Sequence, residues 1–317
     1  MNVPAQNANH GTELLSRLPE VRGSLRPDVP LAPIAWMRVG GPAEILFKPA
    51  DVEDLQVFLK GCPTDVPITT IGVASNLLVR DGGIPGVVIR LGRGFNGIEI
   101  DGTKIRAGAG AVDATVARTA AKAGLTGLEF FIGIPGTVGG ALRMNGGAYG
   151  AETRDVLDHA EVLDRHGQLH RMTADEMGMA YRHSDVPADW IFVGATFNAA
   201  PGDPEAITER MNQISQARSE TQPIKERTGG STFANPPGHK AWQVIEQAGC
   251  RGLQIGAARM SDQHCNFMIN TGGATAAEME GLGEEVRKRV REKLGVELRW
   301  EVKRVGVALD QAGGNDG

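Results

Sequence analysis

GLEFFIGIPGTVGGALRMNGGAYG, residues 127–150, is the stretch from which the rest of the chain is best interpreted. It carries eight glycines in 24 positions and only two charged side chains, Glu129 and Arg143. Such a run does not suit an ordinary helix or strand, because each glycine costs roughly 0.5–1 kcal/mol there. It does not suit a flexible linker either, since Phe130 and Phe131 would then be exposed to water. We therefore predict buried, tightly turning backbone.

Two interpretations of this backbone remain open. Missing side chains let the main chain approach a ligand closely, and successive N–H groups then form a concavity for an anion such as a pyrophosphate. The alternative is a glycine-rich packing corner between two sheets. A second small-residue turn, Gly72–Asn76, lies far away in the sequence, and both turns can close on one extended cofactor. Neither turn fits GxGxxG at the start of a helix or the GxxxxGK[ST] phosphate loop, so Rossmann and P-loop sites are not supported.

The composition is that of a soluble globular protein. Of 317 residues, 41% are hydrophobic and 22% charged. The net charge of -5 gives no general attraction to nucleic acid or anionic membrane, and 5% aromatic residues provide few stacking platforms. Three cysteines without CxxC spacing suit a reducing compartment, and the N-terminus lacks the basic and apolar regions of a secretory signal. We expect a cytoplasmic protein without nucleic-acid or membrane partners.

The hydrophobic pattern predicts many strands in the first two hundred residues and a mixture of helices and strands in the last hundred. Helices are predicted near Thr12–Leu18, after an N-cap at Asp51, over 112–123, from Ile207, over 240–249 and after the capping box Thr275–Glu278. Strands are predicted on both sides of a Gly-Gly turn in 34–49, at 66–71, 86–91, 98–100, 103–110 and 189–199, in a hairpin over 160–172, and over 296–305. Residues 1–30 are predicted to be mostly loop, the tail DQAGGNDG to be disordered, and APGDP at 200–204 to be a domain boundary. This order indicates α+β domains and not a doubly wound sheet.

Several polar residues are candidates for chemistry, each with a commoner alternative. Ser231 follows two glycines and can act as a proton donor, although an ordinary turn serine is favoured by spacing alone. Arg182 can bind a carboxylate, but a solvated surface arginine is more common. Glu301 alternates with basic residues, as in a surface charge ladder. His264 and Asn266 lie in an apolar segment, either facing a ligand or as satisfied core groups. The seven histidines form no HxxH or HxxxH pair, so no metal site is expected.

Seven blocks occur in order between about residues 34 and 306: MRVGGPAE, GVASNLLVRDGG, the glycine-rich stretch, YRHS, GGSTFANP, HCNFMINTGGATA and ELRWEVKRVG. With these blocks the chain resembles the flavoenzyme family of UDP-N-acetylenolpyruvoylglucosamine reductases, which complete UDP-N-acetylmuramate for bacterial peptidoglycan. Any one block is weak, but their order and spacing together are highly specific.

The resemblance implies an FAD-binding fold of the vanillyl-alcohol-oxidase (PCMH) type, made of two α/β subdomains, plus a C-terminal α+β substrate domain. The implied boundaries are an N-terminal extension at 1–33, FAD-binding subdomains at 34–97 and 98–203, a substrate domain at 204–300, and 301–317 as a final strand returning to the FAD domain with the tail.

The implied reaction is the NADPH-dependent reduction of UDP-N-acetylglucosamine enolpyruvate. Hydride passes from FAD N5 to the enolpyruvyl methylene, and the negative charge that develops on the adjacent carbon needs partners already in place. By resemblance, Arg182 supplies charge at the carboxylate, Ser231 gives the proton to that carbon, and Glu301 holds and polarises the site. NADPH reduces the flavin first and leaves, so both ligands use one site in turn.

The resemblance also assigns binding contacts. For FAD these are Arg38, Gly72, Val73, Ala74, Ser75, Asn76, Gly133, Ile134, Pro135, Gly136, Val138, Gly139, Gly140, Asn145 and Gly146; for the substrate they are Tyr149, Tyr181, Asn235, His264 and Asn266. Related oxidases attach flavin through a His or Cys in the flavin loops. Neither loop has one here, so FAD is expected to be noncovalent. The protein is expected to be a monomer.

Two features depart from many relatives. Ala234 stands where a Lys is common, and Arg182 and Ser231 are only 49 positions apart, which leaves no room for the tyrosine-bearing insertion of one branch. The chain therefore resembles the shorter type. The competing interpretations are a related FAD oxidase or dehydrogenase acting on a hydroxy acid or sugar, and a non-catalytic nucleotide-sugar binding protein on this fold.

Overall fold

The structure is a computed structural model that describes residues 10–311, so the tail after Gln311, predicted to be disordered, lies outside the described residues. The chain divides into two compact units. The first comprises residues up to Asp28, Glu44–Gly72 and Gly86–Ala217, and the second comprises Val29–Ala43, Val73–Pro85 and the chain from Arg218 onward. The domain boundaries expected from the sequence stay a prediction.

Helices and strands alternate along both units. The helices are α1 (His10–Ser16), α2 (Val52–Gly61), α3 (Asp113–Lys122), α4 (Val138–Met144), α5 (Thr153–Val156), α6 (Pro204–Thr221), α7 (Ala241–Gln247) and α8 (Ala276–Leu294), with 3-10 turns at Arg93–Phe95, Glu129–Gly133 and Leu309–Gln311. The strands are β1 (Ser24–Pro30), β2 (Pro42–Lys48), β3 (Ile68–Ile71), β4 (Leu77–Val79), β5 (Ile84–Arg90), β6 (Ile98–Asp101), β7 (Lys104–Gly108), β8 (Leu125–Thr126), β9 (Gly147–Ala148), β10 (Ala151–Glu152), β11 (Leu157–Leu163), β12 (Leu169–Met172), β13 (Ile191–Asn198), β14 (Ala200–Pro201), β15 (Thr228–Ser231), β16 (Gln254–Ile255), β17 (Ala258–Met260), β18 (Phe267–Asn270) and β19 (Lys303–Val305).

The first unit is built on an antiparallel sheet with the order β12-β11-β13-β7-β6. Its central strand β13, IFVGATFN, is buried at every position except the last, as its continuous apolar run predicts. Val116 of α3, Leu142 of α4 and Phe131 of the glycine-rich stretch belong to the same core as Phe197 of β13. Most residues of β2, β3 and β5 also lie in this unit, within a four-stranded sheet ordered β1-β2-β5-β3. The apolar residues of the glycine-rich stretch, such as Phe131 and Leu142, are thus part of the core.

The second unit has its own sheet and core. Its antiparallel sheet is ordered β15-β18-β17-β16, and β19 pairs in parallel with β4. Val244 of α7 and Val286 of α8 pack into a core with Met268 and Leu298. The predicted capping box at the start of α8 is present, with Thr275 and Glu278 bonding each other's backbone N–H groups. This unit places Ser231 at the end of β15 and Glu301 just before β19.

Two strand predictions are wrong. The segment before the Gly-Gly turn, predicted as a strand, is a turn in which Ile34 and Ala35 both donate to the carbonyl of Leu31, whereas β1 forms within residues predicted to be loop. The predicted strand over 296–305 is reduced to β19, because the N–H groups of Glu301 and Val302 both donate to the carbonyl of Thr232.

The glycine-rich stretch was predicted to avoid helical structure, and this is wrong for α4. That helix contains Gly139 and Gly140, yet Val138, Ala141 and Leu142 are buried along its core-facing side. Tertiary burial here outweighs the poor helix propensity of two glycines.

The structure of residues 10–311 gives three further findings. None of the helices there combines the length and apolar character needed to cross a membrane. No group of three or more His, Cys, Asp or Glu side chains in that range is placed to hold a metal ion. All three cysteines are buried and free.

Candidate active site

Gly72, the first residue of the Gly72–Asn76 turn, adjoins the glycine-rich stretch within the first unit. A Cβ placed on Gly72, which follows β3, would lie 2.8 Å from the hydroxyl oxygen of Thr137 in the glycine-rich stretch. The sequence separates these residues widely, and the fold brings them into contact. One wall of a ligand site can therefore be formed by both.

The glycine-rich stretch is fastened to the chain just before α3. The N–H of Val138 donates to the carbonyl of Ala111 at 2.9 Å, and the N–H of Gly139 donates to that of Ala109 at 2.8 Å. A Cβ on Gly139 would lie only 3.2 Å from Ala109, and one on Gly136 would lie 2.8 Å from a carboxylate oxygen of Asp113. Packing alone therefore accounts for these two glycines.

Packing does not account for Gly140, the one exposed residue of α4. It is exposed, and a Cβ there would meet nothing closer than Thr137 at 4.0 Å. Open backbone of this kind is what a flat, extended cofactor needs for close approach. The residues present thus fit a bound dinucleotide, and both interpretations of the stretch apply, each to different glycines.

Left-handed backbone occurs at five of the predicted site residues. Among the described residues, positive φ outside glycine occurs at Asp28, Arg38, Ala74, Asn145, Tyr149 and Arg182. All of these except Asp28 were candidate site residues from the sequence. The conformation costs an L-residue roughly 1–2 kcal/mol, and such strain clusters at functional sites. This observation is independent of the motifs.

Arg182 lies in a tight turn of the first unit. Ala180 and His183 exchange backbone hydrogen bonds of 3.1 and 3.0 Å around Tyr181 and Arg182. The guanidinium of Arg182 donates to the carbonyl of Gly147 at 2.8 Å and lies 5.0 Å from the ring centroid of Tyr181. Arg182, predicted from the sequence to bind a carboxylate, is thereby anchored on the glycine-rich stretch itself.

Tyr149 uses the space left by another glycine. A Cβ on Gly133 would lie 2.9 Å from the Tyr149 ring, and Tyr149 as a residue is still 39% exposed. The glycine therefore makes room for an aromatic side chain that is accessible to a ligand.

Ser231 and Glu301 are connected through Thr232 in the second unit. The Thr232 carbonyl accepts from the N–H of Glu301 at 2.9 Å, and the Thr232 N–H donates to the carbonyl of Asn266 at 2.7 Å. Ser231 and Glu301 are both half-buried. Gly230, with a φ of +80°, allows the turn that leads into Ser231. The fold thus holds two of the three predicted catalytic residues in one hydrogen-bonded arrangement.

Asn266 is fully engaged with the Ser231 segment. Its side-chain oxygen accepts from the N–H of Phe233 at 3.0 Å, and its amide nitrogen donates to the carbonyl of Phe233 at 2.9 Å. The residue is 4% exposed. Of the two roles left open for Asn266, these contacts favour a satisfied core amide. Half-buried His264 accepts from the N–H of Asn266, and burial lowers its pKa, which favours the neutral imidazole.

Asn76 links the first small-residue turn to Glu301, a connection that the sequence does not reveal. Its side-chain amide donates to the Glu301 carbonyl at 3.3 Å, and its backbone carbonyl accepts from the N–H of Lys303 at 3.0 Å.

Asn235 is exposed and its side-chain oxygen accepts from the N–H of Ala241 at 2.9 Å, at the start of α7. The side chains of Asn76 and Asn235 both help to shape the loops that carry them.

The other predicted contacts lie in Gly72–Asn76 or in the glycine-rich stretch, except Arg38, which precedes the Gly-Gly turn. Arg38 is exposed, Val73, Ser75, Ile134 and Pro135 are half-buried, and Ala74, Val138 and Gly146 are buried. Arg182 belongs to the first unit, and Ser231 and Glu301 belong to the second.

Comparison with known proteins gives the class first. The FAD binding domain family model matches residues 43–173, which include both small-residue turns. The crystal structure of 6-hydroxy-D-nicotine oxidase from Arthrobacter nicotinovorans aligns over 88% of both chains with a TM-score of 0.53 at 13% identity, which shows a shared fold only. The protein is an FAD-binding oxidoreductase.

The family follows from closer relatives. The model of the UDP-N-acetylenolpyruvoylglucosamine reductase C-terminal domain matches residues 222–305. The UDP-N-acetylenolpyruvoylglucosamine reductase of Parvibaculum lavamentivorans is 60% identical over 300 residues, 95% of this chain and 97% of that one. The crystal structure of this reductase from Thermus caldophilus covers 90% of this chain and 100% of its own, with a TM-score of 0.78 and 35% identity. The chain belongs to the UDP-N-acetylenolpyruvoylglucosamine reductase family. The predicted fold class, enzyme class and FAD cofactor are confirmed.

Proposed function

We propose that the chain catalyses the reaction of its family, the NADPH-dependent reduction of UDP-N-acetylglucosamine enolpyruvate to UDP-N-acetylmuramate, with Arg182, Ser231 and Glu301 as catalytic residues. Bound FAD supplies the hydride chemistry between the two ligands. The backbone of Gly72–Asn76 and of 133–146 holds that cofactor. The proposal rests on one hydrogen bond, which the N–H of Glu301 donates to the carbonyl of Thr232. It joins the Glu301 segment to the segment that carries Ser231.

Ser231 donates a proton to the substrate carbon next to the carboxylate. A proton donor must be held within hydrogen-bond reach of its acceptor atom, and a loose turn cannot do this. Here the backbone after Ser231 is fixed on one side by Asn266 and on the other by Glu301. This fixed backbone supports the proton-donor role of Ser231 over that of an ordinary turn serine.

Arg182 binds the substrate carboxylate and stabilises the charge that develops beside it. Its guanidinium is half-buried and anchored on Gly147, so little reorganisation is needed when the charge forms. Glu301 accepts hydrogen bonds in the site and polarises the proton donor.

The remaining contacts serve binding. Exposed Tyr149 and Tyr181 offer aromatic and hydroxyl contacts to the substrate, together with Asn235 and neutral His264. Asn266 contributes indirectly, because its side chain holds the backbone of Phe233, two residues after Ser231. We further propose a cytoplasmic monomer without nucleic-acid or membrane partners.

The test separates the two half-reactions. Under anaerobic conditions NADPH reduces the bound flavin, and the enolpyruvyl substrate is then added while flavin absorbance is recorded. In the wild-type protein the substrate should reoxidise the reduced flavin. In Ser231→Ala the rate of flavin reduction by NADPH should stay within about threefold of wild type. Reoxidation by the substrate should slow by about 10²- to 10⁴-fold, the usual contribution of a general acid.

The control is Ser16→Ala, an exposed serine of α1 whose hydroxyl bonds only the nearby Glu13 carbonyl in its own helix. It should behave as wild type. Equal loss of both half-reactions in Ser231→Ala would contradict the proton-donor role. A wild-type protein that is not reoxidised by the substrate would overturn the proposed function.

A further inference from the structure

Asn145 ends α4 in a left-handed conformation and is completely buried. Its φ and ψ are 40° and 58°, and its relative exposure is 0%. Asn tolerates this conformation better than most residues, but a helix end needs only a permissive backbone such as glycine. A buried amide at this position therefore calls for another explanation.

The side chain of Asn145 bonds three residues from two segments, Glu152 and Arg154 in one and Ala180 in the other. Its nitrogen donates to a carboxylate oxygen of Glu152 at 2.9 Å and to the carbonyl of Ala180 at 3.2 Å. Its oxygen accepts from the N–H of Arg154 at 3.0 Å. Both amide protons are thus used within the protein, so this side chain has no spare donor for a cofactor.

Ala180 opens the turn that carries Arg182. The same carbonyl that accepts from Asn145 also accepts from the N–H of His183, and the Arg182 guanidinium donates to Gly147, two residues after Asn145. The turn is therefore held on the glycine-rich stretch at its backbone and at its arginine. Arg182 itself has a φ of +55°, a conformation that persists only when its surroundings enforce it.

We infer that Asn145 is a positioning residue for Arg182: its buried amide fixes the Ala180–His183 turn to the end of α4 and so sets where the arginine meets the substrate carboxylate. This role differs from the cofactor contact expected from the sequence, and it rests on the proposed function of Arg182. A shift of about 1 Å in a positioning contact can cost about a hundredfold in rate.

The variant Asn145→Gly removes the amide while keeping a residue suited to left-handed backbone. FAD affinity, measured by flavin fluorescence, and flavin reduction by NADPH should stay within about threefold of wild type. Reoxidation by the enolpyruvyl substrate should slow by about 10- to 100-fold. Asn145→Asp keeps the shape of the side chain but loses both N–H donors and faces the carboxylate of Glu152. It should likewise keep FAD affinity and flavin reduction while slowing reoxidation. Asp28→Gly, an exposed left-handed position outside the site, is the matched control and should behave as wild type.

Two further measurements decide whether the effect passes through Arg182. The double variant Arg182→Ala/Asn145→Gly should be as slow as Arg182→Ala alone, because a positioning residue has nothing left to position. Hydrogen exchange at the amides of Ala180 and His183 should accelerate in Asn145→Gly, a readout that does not depend on activity.

Additive losses in the double variant, or unchanged exchange, would overturn the inference. A fall in FAD affinity as large as the loss of reoxidation would show instead that Asn145 supports the cofactor. If Arg182→Ala reoxidises like wild type, the proposed role of Arg182 fails, while the exchange result still decides whether Asn145 holds the turn.

Discussion

Asp113, the first residue of α3, has a completely buried carboxyl group beneath the glycine-rich stretch. Neither of its oxygens has a hydrogen-bond partner within residues 10–311, and its N–H donates to the carbonyl of Gly136 at 3.2 Å. Burial raises the pKa of this carboxyl well above its ordinary value, because the charged form would lose its hydration. The folded protein therefore favours the protonated acid.

This pKa shift predicts a pH-dependent stability. At pH values between about 4 and the raised folded-state pKa, the unfolded chain releases the Asp113 proton while the folded chain retains it. The folded state then binds more protons, so the free energy of unfolding falls as the pH rises from about 4 toward the folded-state pKa. Asp113→Asn should flatten this fall in urea unfolding measured between about pH 4 and pH 7.

Asp101→Asn, which changes the exposed last residue of β6, is the control and should leave the pH dependence as in wild type. The same slope in Asp113→Asn and wild type would show that the buried carboxyl does not titrate differently on unfolding.

At the scale of elements, α8 is capped by a residue far away in the sequence. The two carboxylate oxygens of Asp81 accept from the N–H groups of Ala276 and Ala277, each at 2.8 Å, in addition to the capping box of Thr275 and Glu278. Negative charge at a helix N-terminus also interacts favourably with the helix dipole. The sequence reveals the capping box but not this second cap.

We expect the distant cap to contribute more than the local one. Asp81→Ala should lower the free energy of unfolding by about 2–3 kcal/mol, since it removes two charge-assisted hydrogen bonds. Thr275→Ala should lower it by about 1 kcal/mol. Chemical denaturation of both variants measures the difference. A smaller loss in Asp81→Ala than in Thr275→Ala would contradict this ranking.

At the scale of the whole molecule, the cofactor is expected to be a structural element as well as a reactant. The open backbone at Gly140 lies on a segment that is fastened to the first unit's core. A ligand that binds only the folded state stabilises it by about 2.7 kcal/mol at a hundred times its Kd.

Removal of FAD should therefore lower Tm by about 5–10 °C, and added FAD should restore it. Differential scanning fluorimetry of the holo, stripped and reconstituted protein makes the comparison, with NADPH alone as the control that should not restore Tm. An unchanged Tm after stripping would show that FAD does not contribute to folded stability.

Motifs and apolar periodicity predicted much of this architecture. The N-cap at Asp51, the buried strand β13, the hairpin of β11 and β12 and the apolar face of α8 all follow from local patterns that the folded chain obeys. Where a distant segment competes for the same backbone groups, local pattern fails. The alternating run before β19 does not form a long strand, because Thr232 takes the N–H groups that a ladder would have used.

The candidate site likewise has features that the sequence predicted and features that only the tertiary structure revealed. The sequence alone determined which residue types are present and in what order, and this was sufficient for the family, the FAD cofactor and the candidates Arg182, Ser231 and Glu301. Only the tertiary structure decided how they are held: Asn266 on the Ser231 segment, Asn145 on the Arg182 turn, and Gly72 against Thr137. The physical reason is that motifs and periodicity record local requirements of a few neighbouring residues. A buried amide satisfies its hydrogen bonds with whatever backbone the fold brings to it, and nothing in the local sequence specifies that partner.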